Sequence, residues 1–260
     1  YSKNKIVFRD EPAMQYAYQK SEGTRYGEFY GYIAEGYFQS EEEIKKSPRQ
    51  MRELAPGDIK YKDLNDDGVI DANDQCYLGK SWFPSWSYGM GFNINYHNFD
   101  LALFFQGVSD VSIMANGGSI DTGNGDWGAS GVGIVPFTGM GLNPSNVITK
   151  ALDRWTADNP RADAWYPRMT ANATTNDNNY VNSTHWLKDG SYLRLKQASL
   201  GYTLENKKLM DKGIEYLYFY LSGQNLLTFS KFKLWDPELG SNGAKYPLSR
   251  MVTLGMRVSF

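Results

Sequence analysis

The stretch Trp86–Gln106 constrains the fold more than any other. Trp86, Tyr88, Met90, Phe92, Ile94 and Tyr96 are large and apolar or aromatic, whereas Ser87, Gly89, Gly91, Asn93, Asn95 and His97 between them are small or polar. A period of two marks a β-strand with one face in apolar surroundings and the other in water. Asn98 breaks the run. The pattern restarts as Phe99, Leu101, Leu103 and Phe105 against Asp100, Ala102 and Gln106, with Phe104 on the polar side. An antiparallel hairpin with a very short connection is predicted. Its strands are roughly twice as long as the five or six residues usual in soluble domains. At ~3.3 Å per residue and a tilt near ~45°, they span the apolar band of an outer membrane. Trp86, Tyr88, Tyr96 and Phe99 sit toward the strand ends, where an interfacial girdle belongs.

The same alternation returns later. Ala198, Leu200, Tyr202 and Leu204 alternate with Gln197, Ser199, Gly201 and Thr203 within Ser191–Leu204. Leu217, Phe219 and Leu221 alternate with Tyr218, Tyr220 and Ser222 within Ile214–Thr228. Leu248, Val252, Leu254, Met256, Val258 and Phe260 oppose Ser249, Thr253, Gly255, Arg257 and Ser259, so Arg257 falls on the polar face. Arg194 and Lys196 share parity with the apolar set. A cation facing lipid costs about 2–4 kcal/mol at the midplane and little near the interface, so this strand is expected to leave the membrane at its N-terminal end.

With Tyr1–Phe8 read as the end of a further strand, six strands are expected. Very short connections (Asn98, Glu205–Gly213) alternate with very long ones (Arg9–Ser85, Gly107–Gly190, Phe229–Tyr246). Short turns on one side and long loops on the other are the outer-membrane barrel arrangement. Barrels start at about eight strands, and open edges cannot persist in lipid. The expected fold is therefore all-β: the C-terminal strands of a large antiparallel transmembrane β-barrel. Its extracellular loops are expected at residues 9–85, 107–190 and 229–246.

Composition narrows the function. A formal net charge of −2 over 260 residues implies no basic surface for nucleic acid. Mean hydropathy is −0.54, and no apolar run reaches the length of a membrane helix. A barrel also averages out as polar, because its inward residues are polar. The single cysteine, Cys76, excludes an intrachain disulfide, and two histidines without ligand spacing argue against zinc. The opening Tyr1-Ser2-Lys3-Asn4-Lys5 is no signal peptide, so an exported chain is expected to begin upstream.

The sharpest local motif is Asp63-Leu64-Asn65-Asp66-Asp67-Gly68-Val69-Ile70-Asp71-Ala72-Asn73-Asp74. It fits the calcium loop, with Asp63, Asn65 and Asp67 at the first, third and fifth positions and Gly68 at the sharp turn. Val69 offers its carbonyl, Asp71 acts through water, and Asp74 closes the loop where a longer Glu usually stands. Ile70 is expected to anchor the loop to a small core. A structural Ca²⁺ clip is the expectation, since the preceding Asp58–Lys62 reads extended rather than helical. The competing reading is an Asp/Gly-rich turn that binds nothing.

Within the loops, Tyr26–Phe38 reads as extended and extramembrane. Glu41–Arg52 reads as a short helix with Ser40 as N-cap and Glu43 at the capping-box position. Val147, Ile148, Ala151, Leu152 and Trp155 predict a helix after Asn143-Pro144-Ser145, stopped by Pro160. Trp127, Trp155, Trp165 and Trp235 are candidate sugar-stacking residues, although loop tryptophans more often pack. No catalytic constellation is present in the sequence pattern, so no enzyme activity is expected.

Five spaced segments resemble a known family: PGDIKYKDLNDDGVIDANDQ, YGMGFNINYHNFDLALFFQG, WLKDGSYLRLKQASLGYTL, YLSGQNLLTFSKFKLWDPE and YPLSRMVTLGMRVSF. In this order they resemble the C-terminal part of SusC-like TonB-dependent outer-membrane transporters of Bacteroidetes, over essentially the whole chain. The resemblance implies a plugged barrel of about 22 strands in the bacterial outer membrane. It implies a plug and a TonB-contacting segment elsewhere in the protein, and a SusD-like surface lipoprotein as lid. It implies import of oligosaccharides, or in some members peptides, and a two-fold pairing of transporter–lid units. Phe260 resembles the terminal aromatic read by barrel-assembly machinery.

Two other classes compete. A soluble calcium-dependent carbohydrate-binding β-domain accounts for the Asp loop and the aromatics, but not for the strand lengths or the alternation of turn lengths. A carbohydrate-active enzyme needs paired carboxylates in a cleft, at separations a sequence does not give.

Overall fold

The computed structural model describes residues 1–116, 149–169, 177–241, 243 and 246–260. Five long strands form one antiparallel sheet: β5 (Trp86–Tyr96), β6 (Phe99–Ser109), β9 (Tyr192–Leu204), β10 (Tyr216–Ser230) and β11 (Met251–Ser259), in the order β11-β10-β9-β6-β5. They run for 11, 11, 13, 15 and 9 residues. Three two-stranded sheets lie outside it. They pair β1 (Glu28–Gly31) with β4 (Cys76–Ser81), β2 (Ala34–Tyr37) with β3 (Ile59–Tyr61), and β7 (Ser112–Met114) with β8 (Leu187–Asp189).

The alternation in sequence becomes two distinct faces. One row of partners runs Ile94–Leu101–Leu200–Leu221–Leu254 across all five strands. The next runs Tyr96–Phe99–Tyr202–Phe219–Met256. On the opposite face one row reads Asn93–Ala102–Ser199–Ser222–Thr253. The apolar face has no protein against it: Ile94 is 55% exposed, Leu200 47%, Leu221 48% and Leu254 80%. The sheet does not close, and its edge strands are β5 and β11. It is a sector of a larger barrel, since unpaired edges are not tolerated in lipid.

The short connections are as expected. His97 and Asn98 join β5 to β6, with His97 at φ 50°, the left-handed conformation that a two-residue hairpin turn requires. A single-turn helix, α2 (Lys207–Met210), bridges β9 and β10, with Asn206 accepting from the Lys208 N–H as cap.

Arg194 departs from its expected place. Phe104 pairs with Gln197, but the next residue, Phe105, pairs with Leu195, so Lys196 is skipped. On the other side Gln224 faces Gln197 and Leu227 faces Leu195. This bulge reverses the phase of β9. Leu193 and Leu195 join the apolar face, and Arg194 turns to the polar face beside Gln106 and Thr228. There it is 1% exposed and bonds Asp236 at 2.5 Å and Glu238 at 3.2 Å. Phe104 also lies on the polar side, where its ring covers the strand-interior Gly89.

The long connections fold into a body of their own. Its core gathers Phe29, Tyr32, Tyr37, Ile59, Tyr61, Ile70, Ile113, Trp155, Tyr166, Tyr180, Trp186 and Phe232 from four separate stretches of chain. Trp186, fully buried, is the hub. Its indole N–H donates to the Asn179 carbonyl at 2.7 Å, and Trp165, Tyr166, Tyr180 and His185 all lie with ring centroids within 5.7 Å. Burying an aromatic of this size stabilises by roughly 1.5–3 kcal/mol.

A polar ladder stitches the same loops. Asn178 accepts from Gln50 and donates to the Ile59 carbonyl, and Asn179 accepts from the Ile59 N–H and donates to Asp58. Asp58 also pairs with Arg168 at 2.8 Å. Each partner is more than a hundred residues away in sequence from Asn178 or Asp58 in the Ile59 and Arg168 contacts.

Three local expectations change. Residues 1–8 form no strand; Ile6 instead exchanges backbone hydrogen bonds with Thr24 and Gly23, and Ser2 donates to Ser85. The helix α1 is shorter than Glu41–Arg52, spanning Glu41–Lys46. Ser40 caps it by accepting from Glu43, and Ser47-Pro48 ends it. Of the helix expected before Pro160, the described part is only a 3-10 turn, Thr149–Leu152. Tertiary pairing takes over there: the Trp155 N–H donates to the Tyr166 carbonyl, the Tyr166 N–H donates to the Asp153 carbonyl, and Leu152 stays 76% exposed.

Candidate functional site

The 63–74 loop leaves β3 and returns into a 3-10 turn, Ala72–Asp74. Its side chains hold its own backbone. Asp63 Oδ2 accepts from the Gly68 N–H at 2.8 Å, Asn65 Oδ1 from Asp67 at 3.2 Å, and Asp67 Oδ1 from Val69 at 2.9 Å. Asp71 caps the 3-10 turn by accepting from Asn73 at 2.7 Å. Asp74, fully buried, accepts from Leu64 and Asp71 at 2.7 and 2.9 Å. Gly68 adopts φ 82° with open space around it, the conformation that position demands. Ile70, 1% exposed, seats the loop in the core, and Arg49 bonds the Gly68 carbonyl and the Ile70 N–H.

Do these residues suit a hard cation? All six donors are oxygen-bearing and in the right order. Asp63 Oδ1 is buried and accepts no hydrogen bond, an anionic oxygen in want of a partner. Among the described residues no group of three or more His, Cys, Asp or Glu side chains gathers as a metal site. The loop set fits Ca²⁺ only with Asn65 and the Val69 carbonyl counted in.

The tryptophans divide by burial. Trp155 is 5% exposed and packs against Gly57, so its ring faces the core rather than a ligand. Trp235 is half-buried, tied by its indole N–H to the Gly240 carbonyl at 2.8 Å and stacked edge-on against Phe232. Trp165 is half-buried, with the Lys188 ammonium 5.2 Å and the Lys150 ammonium 6.0 Å from its ring centroid. Trp127 lies outside the described residues.

Two groups beside Trp165 escaped sequence reasoning. Burial lowers the Lys188 pKa, and the neighbouring Lys150 lowers it further. His185 has its Nε2 3.2 Å from the Trp165 carbonyl and 3.4 Å from the Tyr37 hydroxyl. Burial first, then Lys188, lowers its pKa to about 3. Neither residue belongs to a motif, so only their spatial neighbours reveal them.

No family model matches the chain. It is 30% identical over 241 residues to TonB-dependent receptor P26 of Formosa agariphila, an alignment covering 86% of this chain and 22% of that protein. It is 28% identical over 255 residues to TonB-dependent receptor P3 of the same organism, covering 92% of this chain and 22% of that one. Among solved structures it is similar to the RagAB peptide importer in the 'open-open' state, with a TM-score of 0.61, 22% identity, and coverage of 96% of this chain and 24% of that one. The 'closed-closed' state of the same importer gives a TM-score of 0.59 at 22% identity, covering 93% of this chain and 24% of that one. The chain thus spans about a quarter or less of the length of the proteins it matches. In sequence and in fold, the chain belongs with the SusC-like TonB-dependent receptors, as part of their barrel.

Proposed function

We propose that the chain is part of an outer-membrane importer, energised through TonB, that takes up oligosaccharides or peptides with a SusD-like surface lipoprotein as its lid. The observation that carries this reading is the apolar row Ile94–Leu101–Leu200–Leu221–Leu254, continuous over five strands with nothing packed on it. In water so large an apolar patch is unfavourable, and in a bilayer it is the lipid-facing band. The body built from the long loops is then extracellular, where substrate and lid meet. The rest of the barrel and the plug come from the same protein. In this reading the chain performs no chemistry on the substrate.

The 63–74 loop holds Ca²⁺ as a clip that stiffens this extracellular body. Asp63, Asn65, Asp67, the Val69 carbonyl, Asp71 and Asp74 are its ligands. The orphaned Asp63 oxygen supports the assignment.

The test is fractionation of cells expressing the intact receptor, followed by uptake of labelled oligosaccharides and peptides with and without TonB. The expected result is a detergent-extracted outer-membrane protein that co-purifies with a lipoprotein and supports TonB-dependent uptake. An intact receptor found in the soluble fraction would overturn the barrel assignment and leave a calcium-dependent carbohydrate-binding domain.

A further inference from the structure

A cleft of about 580 Å³ opens where the loop body meets the ends of β8 and β10. Its walls are Trp165, Lys150, Lys188, Asp189, Lys231 and Lys233, with Phe232 and Leu234 completing the lining. Four ammonium groups and one carboxylate make it a cationic cleft in a chain of net charge −2. Lys150 is paired with Asp153 at 2.7 Å. Lys188, Lys231 and Lys233 form no ion pair among the described residues. Asp189 has its Oδ1 engaged by the Ser191 N–H at 2.9 Å.

From this we infer that the cleft is a binding site for an acidic saccharide, one carrying carboxylate, sulfate or phosphate groups. Lys188, unpaired and partly desolvated beside the Lys150 ammonium, raises the free energy of the empty site, and an anion relieves it; Lys231 and Lys233 are exposed and add positive charge to the lining. The lowered pKa of Lys188 is a sign of that strain. The Lys188 and Lys150 ammonium groups lie over the Trp165 ring, 5.2 and 6.0 Å from its centroid, so the indole backs the cations and the anionic groups of the ligand meet them there. All four cations are lysines, which act as point charges; a carboxylate on an extended peptide is better matched by the planar fork of arginine. The peptide importer to which the chain is structurally similar makes an acidic peptide the natural competitor.

This inference rests on the importer reading for its biological setting, but not for its test. The intact, detergent-purified receptor is applied to an array of oligosaccharides bearing carboxylates, sulfates or phosphates beside their neutral counterparts, together with oligoglutamate peptides. The same preparation is assayed for co-purifying lipopolysaccharide. The variants are Lys231→Gln/Lys233→Gln, at exposed positions, and Lys188→Gln, at a half-buried one, each checked for folding by an unchanged outer-membrane level. The expected result is at least tenfold preference for acidic over neutral saccharides, lost in both variants. Binding to the wild type should also weaken as the pH is raised and the lysine charges are lost. If the variants instead lose bound lipopolysaccharide, the acidic saccharide is a lipid headgroup rather than a soluble one. Equal binding of neutral saccharides, preference for oligoglutamate, or a preference unchanged in both variants would overturn the assignment. TonB-dependent uptake of neutral substrate with no acidic preference would sink this site and leave the importer standing.

Discussion

Arg194 donates to Asp236 at 2.5 Å from a strand position that the bulge at Lys196 has turned to the polar face. Its second terminal nitrogen reaches Glu238 at 3.2 Å, while Lys196 stands 3.8 Å from the same carboxylate. Asp236 is also the N-cap of the short turn Pro237–Leu239, accepting from Glu238 at 3.0 Å. One buried guanidinium therefore fixes the loop after β10 onto β9.

Replacing Arg194 by Ala should leave Asp236 without its counter-charge and Glu238 with only Lys196, and destabilise the folded barrel by about 3 kcal/mol. Adding Asp236→Asn should recover part of that loss, because Asn still caps the turn and carries no charge. The midpoint of heat-modifiable migration on a denaturing gel, measured for the single and double variants, reads both. An additive double variant would show that the pair is not coupled.

The bulge also explains what the sequence conceals. Strict alternation makes β5, β6, β10 and β11 legible, because each keeps one phase along the lipid-facing part of its length. In β9 the phase reverses, and no residue type announces it. Sequence parity therefore puts Arg194 on the wrong face, and its tolerance comes from burial on the polar side with two carboxylates. The core of the loop body was illegible for another reason. Trp186, Ile113 and Phe29 have no periodicity, and Asn178, Asn179 and Gln50 look like solvated loop residues until their partners are known. The calcium-type loop was legible because its residues are contiguous, whereas the cationic cleft draws on three stretches of chain.

Gly107 is a second constraint hidden in a strand. A Cβ there would stand 2.4 Å from the Tyr192 main-chain oxygen and 2.5 Å from the Tyr88 ring, whose hydroxyl donates to that same oxygen. Backbone cannot step aside as a side-chain tip can. Gly107→Ala should destabilise by about 1–3 kcal/mol through overpacking and reduce the amount of assembled barrel. Gly91→Ala is the control, since its Cβ would meet nothing closer than 3.8 Å. Equal outer-membrane levels for the two variants would contradict the close approach.

Calcium removal should act on the loop body and not on the sheet. With Ca²⁺ at a hundredfold its dissociation constant, binding stabilises by about 2.7 kcal/mol, so a chelator should lower the melting midpoint of the intact receptor. Asp63→Asn and Asp74→Ala separate metal from architecture. Asp63→Asn should abolish the chelator response with little further loss. Asp74→Ala should destabilise even in chelator, because Asp74 also holds the Leu64 and Asp71 N–H groups. Metal content by mass spectrometry completes the test. A wild-type receptor with no bound Ca²⁺ and no chelator response would leave the loop a self-bonded turn.

His185 should make the loop body sensitive to mild acid. Buried against Trp186, it stays neutral in the folded chain down to about pH 3. In the unfolded chain the imidazole titrates near 6.5. The folded value is the depressed one, so protons bind preferentially to the unfolded state. The stability conferred by neutral His185 is full above about pH 6.5 and is lost as the pH falls from there toward 3, by at most about 1.4 kcal/mol per pH unit. His185→Gln keeps a polar group near the Trp165 carbonyl without a titrating proton. It should flatten the fall in melting midpoint between pH 6.5 and 5, at some cost in stability at pH 7. Carboxylates contribute mainly below that window, where salt-bridged groups such as Asp153, its pKa lowered first by its hydrogen bond to Lys150, begin to protonate. A slope between pH 6.5 and 5 that is the same in wild type and variant would assign the acid sensitivity to some other group.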